Sequence, residues 1–383
     1  MKFTLSKTAS QSVLAQALKT CNVKAKGEAD SEFLIFYEKG DLFIRSVNDT
    51  AEQTIKLRAH EVDAQSGDAF SVPGQALVEF LKQFPDEDVV CTYQPDKGAL
   101  VLNSTVRKTR VALPTGDPND FIPINFVPVG KPFSIDAEML ARALRCTSFA
   151  TSNDYAKMPF VAVKLRIENE MFKAEATDET RISVFKTEIE DVGADGEYLL
   201  PRETAESLAS MFDHVDTVEI QSGQHHLRLT WEGTVFTSSL VSSPKPFPNL
   251  STYLERDKTG CVKVSRGDLL RALKMATLVA KDSSLQASIT ADGFLVSTNE
   301  RTGASQDVVP AQEQEGDGQT YMSCKLFTKA VESTNGAWLE IEFTDLGQDI
   351  VAVIVRDDDY QHLMFPVQPK ELDEDNEESQ DED

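Results

Sequence analysis

No stretch of this chain approaches the roughly 18 consecutive apolar residues that a membrane span needs. The opening MKFTLSKTAS has no apolar core of the kind a secretory signal carries, so export is not expected. The five cysteines, Cys21, Cys91, Cys146, Cys261 and Cys324, stand singly with no CxxC pair. That spacing argues against a disulfide framework and a zinc site, and for thiols in a reducing cytoplasm. No GxxxxGKS/T, HExxH or GxSxG occurs. Ser242-Ser-Pro-Lys245 and Lys258-Thr-Gly260 imitate strings of serine β-lactam enzymes, but both lie in one linker with no Ser-Asp-Asn between them. His225-His226 lacks a third ligand at metal spacing and reads as an exposed hairpin. Asp357-Asp-Asp359 lacks calcium-loop spacing and reads as a turn before the last strand. The expectation is therefore a protein with no catalytic residues, no metal and no cofactor.

What is present is a soluble globular composition, 40% apolar and 26% charged. At 383 residues it predicts two or three domains. The net charge of −25 at first argues against nucleic acid. It is unevenly spread. Glu371 to Asp383 holds nine acids and no base, so the body carries −16 and the end reads as a disordered tail. A body this acidic must meet DNA through a locally basic surface.

The chain repeats itself. Leu14-Ala-Gln-Ala-Leu-Lys19, Leu140-Ala-Arg-Ala-Leu-Arg145 and Leu269-Leu-Arg-Ala-Leu-Lys274 begin 126 and 129 residues apart. Each opens an amphipathic helix with leucines at i and i+4 on one face. Strand pairs follow, such as Phe33–Tyr37 with Asp41–Arg45. A second helix comes next, near Val72-Pro73, Leu200-Pro201 and Met322-Ser323, and then further strands. Proline suits the first turn, where a missing N–H is harmless. The phase resets across the turn-rich stretches 114–133 and 242–260. The reading is α+β, with three tandem domains at 1–127, 128–255 and 256–370, and a tail at 371–383.

The first helices carry a base at one repeat position: Lys19, Arg145 and Lys274. Lys24, Lys26, Arg142, Arg271 and Lys281 lie near them, and Arg202 opens a second helix. Any one of these suits a solvated helix face; three in register suggest a basic stripe. Two inner helices in each of three domains make twelve in a dimer. Spaced about 10 Å apart, with radii of about 5 Å, they would enclose a bore near 28 Å. Duplex DNA about 20 Å wide would pass, held by phosphate contacts without base readout.

Several strings resemble the bacterial sliding clamp, the beta subunit of the replicative DNA polymerase. They are Met1-Lys-Phe-Thr4, Ala176-Thr-Asp-Glu-Thr-Arg181-Ile182, Leu199-Leu-Pro-Arg202, Phe236-Thr-Ser-Ser-Leu240 with Phe247-Pro248, and Leu363-Met-Phe-Pro-Val367. The resemblance implies a ring-forming head-to-tail homodimer around double-stranded DNA. It also implies a pocket between the second and third domains for short motifs of polymerase, clamp loader and repair proteins. By matched position its wall would be Phe160, Thr177, Arg181, Ile182, Pro248, Tyr253, Leu363, Met364, Phe365, Pro366 and Val367. The ring would close where an edge strand Val106–Leu113, including Thr109 and Arg110, meets Leu278 and Val279. Here Glu179-Thr180 replaces the family's Gly-His, and Thr252 stands where an arginine is expected. The competing reading is an acidic three-domain scaffold that never touches DNA.

Overall fold

The structure is a computed structural model and describes residues 1–22, 29–85, 87–190, 195–280, 284–300 and 303–368. The repeat is visible as a recurring order of elements: strand, long helix, a run of strands, short helix, three strands. The long helices are α1 (Lys7–Leu18), then, after α2 (Gly74–Gln83), α3 (Ala137–Ser148). They are followed by α4 (Arg202–Leu208), α5 (Ser251–Leu254), α6 (Arg266–Ala280) and α7 (Cys324–Glu332).

Local chemistry sets where these helices start. Ser6 accepts from the Ala9 amide, Asp136 from Met139, Ser265 from Asp268 and Ser323 from Leu326. Each hydroxyl or carboxylate thereby satisfies an amide of the first turn that has no helical partner. The two prolines act one residue earlier than expected. Pro73 and Pro201 end their strands and stand as the caps of α2 and α4 rather than inside the first turn. Of the leucines at i and i+4, Leu14, Leu140, Leu144, Leu269 and Leu273 are all within 1% of full burial, whereas Leu18 is half-buried.

By its contacts the chain divides into two compact units, and the second copy of the repeat contributes to both. In unit 1 the strands Phe133–Asp136, Thr217–Ser222, His226–Trp231 and Thr234–Ser239 run straight on into Ala51–Lys56, Asp41–Val47, Glu32–Glu38 and Ala69–Pro73 of the first copy. The junction is the antiparallel pair Thr234–Ser239 with Ala51–Lys56, Val235 opposite Thr54. A second sheet in the same unit runs Ala59–Asp63, Lys2–Ser6, Asp88–Gln94, Ala99–Ser104, Arg110–Pro114. Arg110–Pro114 is its edge. The expected edge strand Val106–Leu113 is thus shifted: residues 105–108 form a bend, and the strand begins at Arg110.

Unit 2 repeats the joint. Arg181–Glu188 of the second copy pairs antiparallel with Tyr360–Met364 of the third, Ile182 opposite Leu363. The third copy's remaining sheet runs Gly303–Val309, Gly293–Glu300, Ser284–Thr290, Gln319–Ser323, with Gly303–Val309 at one edge. Its core packs Leu269, Leu273, Phe294, Phe327 and Phe343 with no exposure. A Cβ on Gly318 would stand 2.2 Å from the Phe343 ring. Gly318→Ala is therefore expected to cost about 1–3 kcal/mol through overpacking, read as a lowered midpoint in thermal unfolding.

Candidate functional site

The apolar groove residues fall together in unit 2, at the joint between the two strands just described. Met171–Thr177 and Arg181–Glu188 form a hairpin whose turn is held by Asp178. Its Oδ1 accepts from the amides of Thr180 (3.0 Å) and Arg181 (3.2 Å), and its Oδ2 from Arg181 Nε (2.9 Å). Thr177 Oγ1 donates to the Arg181 carbonyl at 2.7 Å. Glu179 sits at φ +77°, a left-handed position that glycine takes without strain. This is where the resembled motif has glycine. Lys157 Nζ meets the Glu179 carboxylate at 2.8 Å, holding the loop before Phe160 against the turn.

Strand alternation then sorts the side chains by face. Ile182 and Leu363, opposite one another, form a floor with Val184, Leu250, Leu254, Ala352 and Ile354. Phe247 and Phe365 pack on that floor while keeping part of their rings exposed. Tyr253 lies edge-on to Phe365, ring centres 6.3 Å apart, and Phe160 edge-on to Phe247 at 6.4 Å. Lys164 Nζ stands 5.6 Å from the Phe247 ring centre, within cation–π range. The Phe365 amide donates to Thr180 O (3.1 Å) and the Val367 amide to Tyr321 O (2.8 Å), which pins the outgoing chain. Tyr253 and Val367 remain 37% exposed. The result is an apolar floor with aromatic walls and a few polar edges, the chemistry of a groove for a short peptide.

Two of the expected wall residues face away. Arg181 and Met364 are opposite one another on the other side of the sheet, and Met364 belongs to the third copy's core. Arg181 instead stacks over Phe149 at 5.6 Å, and Phe149 stacks on His362 at 5.2 Å. His362 is fully buried, its Nδ1 2.5 Å from Ser183 Oγ. Burial, with a smaller contribution from the Arg181 charge, pushes its pKa down to about 3. Pro248 and Pro366 are half-buried at the rim. The sequence reading did not assign Phe247 or Leu254 to the wall. Phe247 stood in the resembled string Phe247-Pro248, which was the signal available for it.

The basic residues behave unevenly. Lys19 caps α1 rather than lying in it, and donates to the Ser210 carbonyl while Ser207 Oγ donates to its own. Arg202 pairs with Glu206 at 2.8 Å and Arg271 with Asp268 at 3.1 Å. Arg145 and Lys274 are exposed and Arg142 is half-buried. Lys24, Lys26 and Lys281 lie outside the described residues, as does the acidic tail. Of the contact residues expected between chains, Leu278 is 80% exposed, Val279 and Thr109 are half-buried, and Arg110 is exposed. None of the five cysteines is in a disulfide; Cys91, Cys146 and Cys324 are buried, and Cys21 and Cys261 half-buried. Cys261, Glu340 and Glu342 bring donor atoms within 4.8 Å of one another, but Arg356 Nε already holds Glu342 at 2.5 Å.

Residues 134–249 match the family described as DNA polymerase III beta subunit, central domain. A beta sliding clamp of Pseudomonas aeruginosa is 26% identical over 57% of this chain and 59% of its own length. One of Staphylococcus aureus is 20% identical over 77% of this chain and 79% of its own. In sequence the chain is similar to bacterial sliding clamps, most firmly over residues 134–249. The alignment to the Pseudomonas relative thus spans less than two thirds of that protein. The fold agrees along nearly the whole chain. The DNA polymerase III beta subunit of Thermotoga maritima superposes with a TM-score of 0.84 at 19% identity, covering 96% of this chain and all of that one. The Bacillus subtilis sliding clamp gives 0.84 at 18%, covering 97% and 100%. A Pseudomonas aeruginosa clamp solved with griselimycin gives 0.83 at 20%, covering 96% and 99%.

The buried His362 makes this joint sensitive to acid. With a folded pKa near 3 and an ordinary value of 6.5, the unfolded chain gains a proton across that window and the folded chain does not. Stability therefore falls as pH drops from 6.5 toward 3, by up to about 1.4 kcal/mol per pH unit from this residue. His362→Gln should show a shallower decline in denaturation midpoints over that range.

Proposed function

We propose that two copies of this chain close head to tail into a ring around duplex DNA, acting in the cytoplasm as a non-catalytic processivity clamp. On this reading polymerase, clamp loader and repair proteins dock short motifs in the groove of Tyr253 and Phe365. The observation that carries it is the pairing rule of the repeat. Counting strands after the long helix, the third of copy one (Ala51–Lys56) pairs with the last strand of copy two, and the third of copy two (Arg181–Glu188) with the last strand of copy three. By the same rule the third strand of copy three, Gly303–Val309, needs the last strand of copy one, Arg110–Pro114. Both are open edges in this chain, and open edges invite a partner strand. A second chain satisfies both at once by two-fold symmetry.

The side chains beside those edges support the same closure. Leu278 and Met275 on α6, which packs on Gly303–Val309, are 80% and 51% exposed. On α2 of copy one, Phe80 is 41% exposed, whereas the residues at the matching repeat position, Leu208 and Ala330, are fully buried. On this reading the domains are 1–127, 128–255 and 256–370, a division supported by the recurring order of elements. Arg145, Lys274 and the other helix bases are then the phosphate-facing groups.

Retention on DNA tests the reading directly. The loaded protein should remain on closed circular duplex and run off the same duplex once linearised; equal retention on both forms would overturn it. Leu278→Asp with Val279→Asp buries two charges in the seam and should give monomers in sedimentation, with retention lost. Tyr253→Ser with Val367→Asp should leave the dimer intact and weaken a clamp-binding peptide at least tenfold by fluorescence anisotropy.

A further inference from the structure

The sheet face that floors the groove carries a second, polar cavity of about 480 Å³. It lies further along the same strands. From Ile182 the face continues through Val184 to Lys186, and from Leu363 back to Gln361, which is opposite Val184. Lys173 is directly opposite Lys186 in the hairpin. These residues, with Arg356 from the next strand and Arg256 and Lys258 just past α5, put five cations around one cavity. Glu255, Asp257 and Glu342 line it too, so its charge is +2. On a chain of net charge −25 that is a local reversal of sign.

The cations are not all spent within the chain. Arg356 is held by Glu342 and by the Leu254 carbonyl, and Lys173 reaches Glu175 at 2.7 Å. Lys258 makes a long, exposed contact of 3.8 Å with Glu315. Arg256 donates one nitrogen to the Leu346 carbonyl, leaving the rest of its guanidinium charge uncompensated by a carboxylate there. A cavity built this way favours a flexible polyanion with several carboxylates.

We propose that the acidic segment Glu371–Asp383 of the same chain docks in this cavity and covers the flank of the peptide groove. Charge and reach both support that occupant. Nine acids fall within thirteen residues. The outgoing chain is pinned where Val367 bonds Tyr321, close to Val351, because the neighbouring Thr320 hydroxyl bonds the Val351 carbonyl. Arg356 lies five residues along that strand from Val351, about 17 Å at 3.3–3.4 Å per residue. Asp375, eight residues beyond Val367, has an extended reach of about 27 Å, so it and every later acid reach the cavity. Tethering at this length gives an effective concentration on the order of millimolar. A site too weak to hold a free acidic peptide at micromolar concentration is still occupied by the attached one. Groove and cavity share α5, since Leu254 belongs to both. An incoming motif with acidic flanks must displace the tail, whereas one with basic flanks gains from it. That consequence rests on the proposed groove function; the docking itself does not.

The test uses the chain ending at Gln368, the full-length chain, and a labelled peptide of residues 369–383. By fluorescence anisotropy at low salt the peptide should bind the shortened chain, and bind the full-length chain at least tenfold more weakly because its own tail competes. Lys173→Glu with Lys186→Glu in the shortened chain should abolish binding, while circular dichroism confirms an unchanged fold. Raising salt to 0.5 M should weaken binding by a similar factor. Equal binding to the shortened and full-length chains, or no effect of the double charge reversal, overturns the proposal. Loss of clamp-peptide binding with tail docking intact would count against the groove function alone.

Discussion

Strand pairing between consecutive copies is the constraint on which the rest of this molecule depends. Ladder hydrogen bonds from Arg181–Glu188 to Tyr360–Met364 turn two separate sheets into one continuous surface. That joint sets Ile182 beside Leu363 as a floor, brings Phe365 to the Thr180 carbonyl, and lets Tyr253 and Phe247 close the walls. Without it, residues more than 180 positions apart in sequence would have no reason to share a groove. The same kind of joint in the first unit pairs Thr234–Ser239 with Ala51–Lys56.

The two faces of the second joint do different work. One is apolar and half-covered, suited to a ligand. The other seals Arg181, Phe149, His362 and Ser183 into a stacked, hydrogen-bonded column that orients the hairpin. Burying a histidine costs stability in acid, and the column keeps it neutral by excluding water, with the Arg181 charge adding to the effect. The positively charged cavity lies on the groove's own face, so polar and apolar recognition adjoin along the same strands.

Much of the fold was legible in the sequence because helices report themselves locally. The leucines at i and i+4 and the threefold recurrence placed all six repeat helices, with errors of a residue at Pro73 and Pro201. The groove was half legible. Ile182, Leu363, Phe365 and Tyr253 were named through resemblance in short strings. Arg181 and Met364 were misplaced because a string of neighbours does not say which face each side chain takes. Alternation does, but only once the pairing register with the partner strand is known.

Sequence alone determined what is periodic or compositional: three copies, seamless amphipathic helices, singly placed thiols, and an acid-rich end on an acidic body. Those properties follow from near-neighbour chemistry, which a linear text records in full. Tertiary structure alone decided which edges pair and which stay open, how Lys19 is tied to Ser210, and where five scattered cations converge on one cavity. These depend on contacts between residues far apart in the chain, whose positions are fixed by sheet register and packing rather than by any local pattern.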